Sequence, residues 1–237
     1  MKLVLSITGE SLASLGAGMF FRIEEMLKNG GDASDKDSFD AIRQRLDSPP
    51  VLSPGDFALE AAYVILAGGF RQAVAKKKFA EIARLVKARA RVSGDELFAL
   101  FHNRNKTAAI AAIWNAREKY RDGFYAAGDK VEYLKTLPHI GPVTCNHLAR
   151  NLGFGNVKYD VWIQRLGIAL REAKAGASGE TGDGVEGLRA GFPLDPRVKD
   201  ACDEMFASLE SATGCKKGYI DVVLWKACQT GMLAFKA

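Results

Sequence analysis

Apolar residues recur every three or four positions through Phe57–Leu66, Phe79–Val86, Thr107–Tyr125 and Tyr219–Met232, the spacing of one helix face. Alternating runs of strand type are few, so the pattern predicts an all-α fold. Ser53-Pro54-Gly55-Asp56 opens the first of these helices, and Ser93 with Glu96 three residues later makes a capping box for Asp95–Phe101. Two stretches read as loops: Gly30–Asp56, with its Asp, Ser and Pro content, and Gly176–Pro196, which holds six glycines between Gly176 and Gly191. The expected organisation is an N-terminal segment over 1–56 that packs with the C-terminal lobe, a central helical lobe over 57–157, and a C-terminal helical lobe over 158–237.

The most informative stretch is Val131–Arg165. Val131, Leu134 and Leu137 share one face of a short helix, Pro138 stops it, and Gly141-Pro142 opens a second. Cys145, Leu148, Ala149 and Leu152 then form a stripe that can pack back on Leu134 and Leu137, giving a helix-hairpin-helix. The start of that second helix leaves backbone N–H groups that no earlier turn can pair, an arrangement that accepts a phosphate without basic side chains. Seven residues after Gly153 stands Asp160, expected to cap a new helix that carries Trp162 and Arg165.

Charge agrees with a polyanionic partner. The chain has 237 residues, 33 of them Lys or Arg and 28 Asp or Glu. From Arg71 to Asp122 the imbalance sharpens to 13 basic against 5 acidic residues. The four cysteines lack a C-x-x-C pair, so neither a zinc nor an iron-sulfur site is expected, and they read as reduced thiols of a cytoplasmic protein. The apolar run Leu3–Ile7 is too short for a signal peptide or a membrane span.

Leu137-Pro138-His139-Ile140-Gly141-Pro142-Val143-Thr144, followed by Val157-Lys158-Tyr159-Asp160-Val161-Trp162-Ile163-Gln164-Arg165, resembles the signature of the helix-hairpin-helix (HhH-GPD) DNA glycosylase superfamily, which includes endonuclease III-like and alkylpurine glycosylases. Looser similarity reaches Phe57–Phe79 and Asn103–Ala116. The resemblance implies a two-lobed helical fold with its active site in the cleft between lobes. It also implies base-excision repair activity on double-stranded DNA, by a monomer that is cytoplasmic or nucleoid-associated.

By that resemblance Asp160 is the catalytic carboxylate. His139, Gly141, Val143 and Thr144 hold a DNA phosphate, and the carbonyls of Lys135, Leu137 and Ile140 hold a monovalent cation. The turn Gly68–Gln72 offers Phe70 or Arg71 as the wedge that enters the base stack. Trp114 and Trp162 are candidate walls of the base pocket.

Two departures from the family pattern matter. His139 stands in place of the first hairpin glycine. Val143 occupies the position of the nucleophilic lysine of the bifunctional members, which favours a monofunctional hydrolase. With neither that lysine nor a cysteine cluster, alkylated purines are the first substrate expected. The alternatives are a glycosylase/lyase using another lysine, such as Lys158 or Lys106, and a non-catalytic DNA-binding protein that keeps the hairpin.

Overall fold

A computed structural model describes residues 2–5, 15–30, 37–69, 72–178, 188–191 and 193–236. The chain divides into two compact units, the first made of the segments Met1–Asp32 and Val157–Ala237 and the second of Ala33–Asn156.

The first unit holds β1 (Lys2–Leu5), α1 (Ala17–Gly30), α10 (Val161–Ser178), α11 (Pro196–Thr213), α12 (Lys217–Gln229) and β2 (Leu233–Lys236). The second holds α2 (Phe39–Asp47), α3 (Pro54–Ala67), α4 (Gln72–Lys87), α5 (Gly94–Phe98), α6 (Arg104–Asn115), α7 (Arg117–Ala126), α8 (Lys130–Leu134) and α9 (Thr144–Asn151). The predicted helical class is therefore observed. To it is added one short antiparallel pair in which Lys2 faces Lys236 and Leu5 faces Leu233.

In the second unit α3 is the central element. It is apolar around most of its circumference, and Phe57, Val64, Ile65 and Leu66 are each at most 1% exposed. A helix of that composition must be enclosed on all sides, and α4, α6, α7 and α9 pack around it. Each large apolar side chain so enclosed contributes roughly 1.5–3 kcal/mol against exposure. Phe124 of α7 joins this core, with ring centroids 5.6 Å from Phe57 and 5.3 Å from Phe154.

Four local expectations are corrected. The loop expected over Gly30–Asp56 contains α2, which Ser38 caps by accepting the Ala41 N–H at 3.2 Å. α2 is only nine residues long and buries only Leu46, which is why no stripe announced it. Its segment also belongs to the second unit rather than travelling with the N-terminal segment: α2 packs on α9, and Pro49 and the Arg45 carbonyl close over Gly153. A Cβ at Gly153 would lie 2.8 Å from Pro49 Cβ, and its φ of +94° is one that glycine adopts without strain.

The helical run Thr107–Tyr125 breaks at Ala116 into α6 and α7. Asn115 exchanges two hydrogen bonds with the Val92 backbone, at 2.9 and 2.8 Å, which fixes the end of α6. The last predicted helix stops at Gln229. Gly231, at φ +74°, then turns the chain into β2.

In the first unit α10 and α11 are neighbours at close range. A Cβ at Gly167 would meet Cys202 Sγ at 2.7 Å and the Cys202 backbone N at 3.1 Å, so only glycine permits this approach. All four cysteines are buried and unbridged. No helix among the described residues is long and apolar enough to cross a membrane.

Candidate functional site

The hairpin forms where it is predicted. Asp129 caps α8, its Oδ1 accepting the Val131 and Glu132 N–H groups at 2.9 and 3.0 Å. Leu134 and Leu137 are buried against Cys145, Leu148, Ala149 and Leu152, the stripe read from the sequence. His139 adopts φ +63°, the left-handed conformation that glycine would take at this position. The turn is thus kept despite the substitution, at some cost in backbone strain. The Ile140 N–H donates to the Leu137 carbonyl at 3.1 Å across it.

At the head of α9 the phosphate-binding reading needs one correction. The Gly141 N–H does not face outward but donates to Thr144 Oγ1 at 2.7 Å, while that hydroxyl donates to the Gly141 carbonyl at 3.2 Å. Pro142 has no N–H to offer. The first-turn groups left for an anion are those of Val143 and Thr144.

Lys106, at the start of α6, lies beside this turn. Its ammonium donates to the Gly68 carbonyl at 2.5 Å and the Leu66 carbonyl at 3.5 Å, closing the C-terminal end of α3. Burial pushes its pKa down. His139 is likewise shifted down, first by burial and then by the positive charge of Lys106. The expected wedge residues Phe70 and Arg71 lie outside the described residues.

Asp160 is held at the start of α10. Its Oδ1 accepts the Trp162 N–H at 3.0 Å and the Ile163 N–H at 3.2 Å, the bonds of a helix cap. Its Oδ2 faces Lys158 Nζ at 3.6 Å. The two side chains are 15% and 23% exposed, so both are sheltered yet reachable from solvent.

The segment before Asp160, which has no regular secondary structure, is anchored from three sides. The Lys158 N–H donates to Oδ2 of the buried Asp221 on α12 at 3.0 Å. The Tyr159 hydroxyl donates to Asp203 on α11, and the Tyr159 carbonyl accepts from Gln164 Nε2 at 2.8 Å. Burial and the Asp203 bond push the Tyr159 pKa well above its usual value. Cys228 lies near the Asp160 carboxylate. Burial first, and the Asp160 charge second, raise its thiol to about 12, so it stays protonated.

The two tryptophans fare differently. Trp162 stacks on Phe235, with ring planes 16° apart and centroids separated by 6.5 Å, and Arg165 lies 5.5 Å from its ring. Trp114 is only 7% exposed, its indole N–H donates to the Arg89 carbonyl at 3.2 Å, and Arg117 covers it at 4.8 Å. It is a core side chain of the second unit, with no face left for a base. The anchors Asp221 and Asp203 were not read from the sequence. The only sign of Asp221 was a single acid inside the apolar run Tyr219–Trp225.

This fold, a helix-hairpin-helix followed by a capped carboxylate at the start of the next helix, is shared with solved DNA glycosylases. Solved structures of that class match over most of the chain. The 8-oxoguanine glycosylase/lyase of Methanocaldococcus jannaschii, crystallised with a 15-mer DNA containing 8-oxoguanine, has a TM-score of 0.62 at 18% identity, covering 90% of this chain and 98% of that one. A second structure of the 8-oxoguanine DNA glycosylase from that organism gives 0.61 at 19%, covering 90% and 94%. The 8-oxoguanine DNA glycosylase of Thermotoga maritima gives 0.54 at 16%, covering 88% and 94%. No family model matches the chain, and no curated protein does.

Proposed function

We propose that this protein is a DNA N-glycosylase of base-excision repair that hydrolyses the glycosidic bond of a flipped, damaged base. One observation carries the reading: Asp160 presents a sheltered carboxylate, fixed by two helix N–H groups and by the anchored segment before it, on a fold shared with DNA glycosylases.

A base inside the duplex cannot reach such a group, so the nucleotide must leave the stack, which costs a few kcal/mol and less for a damaged pair. Bond cleavage leaves the sugar oxocarbenium-like, and a carboxylate in a poorly solvated site stabilises that charge far better than water does. Val143 offers no amine at the hairpin, so water, oriented by Asp160, is the nucleophile of base release.

The Val143 and Thr144 N–H groups would hold a backbone phosphate and set the register of the duplex. Backbone carbonyl oxygens are the hard donors that a monovalent cation takes. Lys135, Leu137 and Ile140 would hold such a cation, which when bound adds positive charge for the phosphate. Phe70 or Arg71, after the Gly68-Gly69 turn, would enter the stack.

Oxidised purines are favoured as substrate, because all three structural neighbours are 8-oxoguanine glycosylases. The alkylated-purine expectation loses one of its aromatic walls, since Trp114 is enclosed in the core.

Duplexes carrying single lesions, 8-oxoguanine and alkylated purines among them, test the reading through abasic-site formation. The parent protein is expected to release a base, and Asp160→Asn to bind the same duplex while losing about a hundredfold or more in rate. Absence of release from every lesion would overturn it in favour of a DNA-binding protein without turnover.

A further inference from the structure

A carboxylate that stabilises an oxocarbenium-like sugar must be held to within about 0.5 Å, and the groups that hold it need not touch the DNA. One residue, Gln164, grips the backbone on both sides of the Asp160 Cα. Its N–H donates to the Asp160 carbonyl at 2.9 Å, and its side-chain Nε2 donates to the Tyr159 carbonyl at 2.8 Å. The first is the ordinary bond of a helix turn. The second reaches past the start of α10 to the peptide that precedes Asp160.

The other end of the same amide is also taken. Gln164 Oε1 accepts the Gly191 N–H at 2.7 Å, a bond to the connection between α10 and α11, 27 residues away. Gln164 is wholly buried, and Leu188 in the same connection is buried as well. The buried helix neighbours Ile163, Leu166 and Leu170 are apolar, so an amide at position 164 is costly unless its bonds are made. Those bonds permit one orientation. A carbonyl has no hydrogen to give and a backbone N–H has no lone pair to offer, so turning the amide over would lose both. The side chain is therefore a fixed strut, with the Tyr159 carbonyl at one end and the connection at the other.

Building on the glycosylase reading, we propose that Gln164 is a positioning residue for base release, and that residues 188–191 act through it to set the Asp160 carboxylate. Neither Gln164 nor Gly191 takes part in making or breaking a bond. When the Gly191 N–H leaves Gln164, the amide loses the partner that fixes its orientation, the Tyr159 carbonyl loses its donor, and the carboxylate leaves the position at which it stabilises the sugar. Such a role acts on the chemical step and spares duplex affinity, because the hairpin amides that would hold the phosphate stand in the second unit.

The full-length protein is tested on a lesion duplex from which it releases a base. Gln164→Met keeps the length of the side chain and loses both bonds. Gly191→Pro removes only the donor on the connection, at a position where a Cβ meets nothing within 4 Å. Single-turnover base release at saturating protein is measured beside the dissociation constant for the same duplex. Hydrogen–deuterium exchange is followed in peptides covering 157–163, 188–191 and α3.

Both variants are expected to exchange faster over 157–163 and 188–191 but not in α3. They should release the base at least about tenfold more slowly and bind the duplex within about twofold of the parent. The proposal is overturned if release per folded molecule matches the parent, if exchange over 157–163 is unchanged, or if the loss lies in duplex affinity instead. Gly191→Pro leaves the buried amide in place, so a folding defect of Gln164→Met does not close the test. A parent protein that releases no base from any lesion duplex would instead overturn the glycosylase reading on which the role depends.

Discussion

Tyr159 donates its phenolic hydrogen to Asp203, and that bond ties the residue before Asp160 to a helix 44 positions further along the chain. Lys199 completes the anchor, its ammonium 2.5 Å from the other Asp203 oxygen and 5.3 Å from the Tyr159 ring. The chain holds the segment before this carboxylate through side chains from elsewhere, Asp203, Asp221 and Gln164, the kind of support a preorganised site needs.

Tyr159→Phe removes the donor and leaves Asp203 with Lys199 alone. A loss of about 1.5–3 kcal/mol is expected in urea unfolding, the range for a hydrogen bond to a charged group. Equal stability of the variant and the parent would show that the anchor contributes nothing.

Gly167→Ala is expected to be among the most disruptive single methyl additions in the first unit. The new Cβ would stand 2.7 Å from Cys202 Sγ and 3.1 Å from its backbone N, so α10 and α11 must move apart. Overpacking of this kind costs roughly 1–3 kcal/mol. Adding Cys202→Ala should recover only part of the loss, because the backbone clash persists. Denaturant midpoints of the single and double variants check this.

His139→Gly should stabilise the second unit by up to about 1 kcal/mol, the left-handed strain exceeding the entropy that glycine adds to the unfolded chain. His139→Val should destabilise it, since a branched side chain tolerates φ +63° poorly. Chemical denaturation of the three proteins at one pH distinguishes these outcomes.

The same residue gives a pH dependence with a definite sign. Burial and the Lys106 charge lower the His139 pKa, so the unfolded chain binds its proton more readily than the folded one. The His139 contribution is therefore complete above the ordinary histidine pKa of about 6.5 and is lost as the pH falls below it. Stability measured from about pH 7.5 down to 5 should decline more steeply in the parent than in His139→Asn.

Trp114→Phe separates packing from recognition. The variant loses the indole bond to the Arg89 carbonyl and should fall by about 1–2 kcal/mol in stability. Base release per folded molecule should stay unchanged on every lesion. A change in lesion preference would return Trp114 to the pocket.

What the sequence determined by itself is local. Pro138, Gly141-Pro142 and the Cys145–Leu152 stripe place the hairpin because breakers and helix periodicity act within one or two turns. Asp160 was legible as a helix start for the same reason, since a cap bonds to residues two and three positions away. Burial and long-range pairing were decided only in the tertiary structure. Trp114 carries no mark of the Arg89 carbonyl that satisfies it, and Leu3 none of the strand at Phe235. Lys158 and Asp160 stand two positions apart, yet their side chains meet because Asp221, Asp203 and Gln164 fix the backbone between them. Those partners lie up to 63 residues away, and a contact at that separation leaves no periodic trace in one chain.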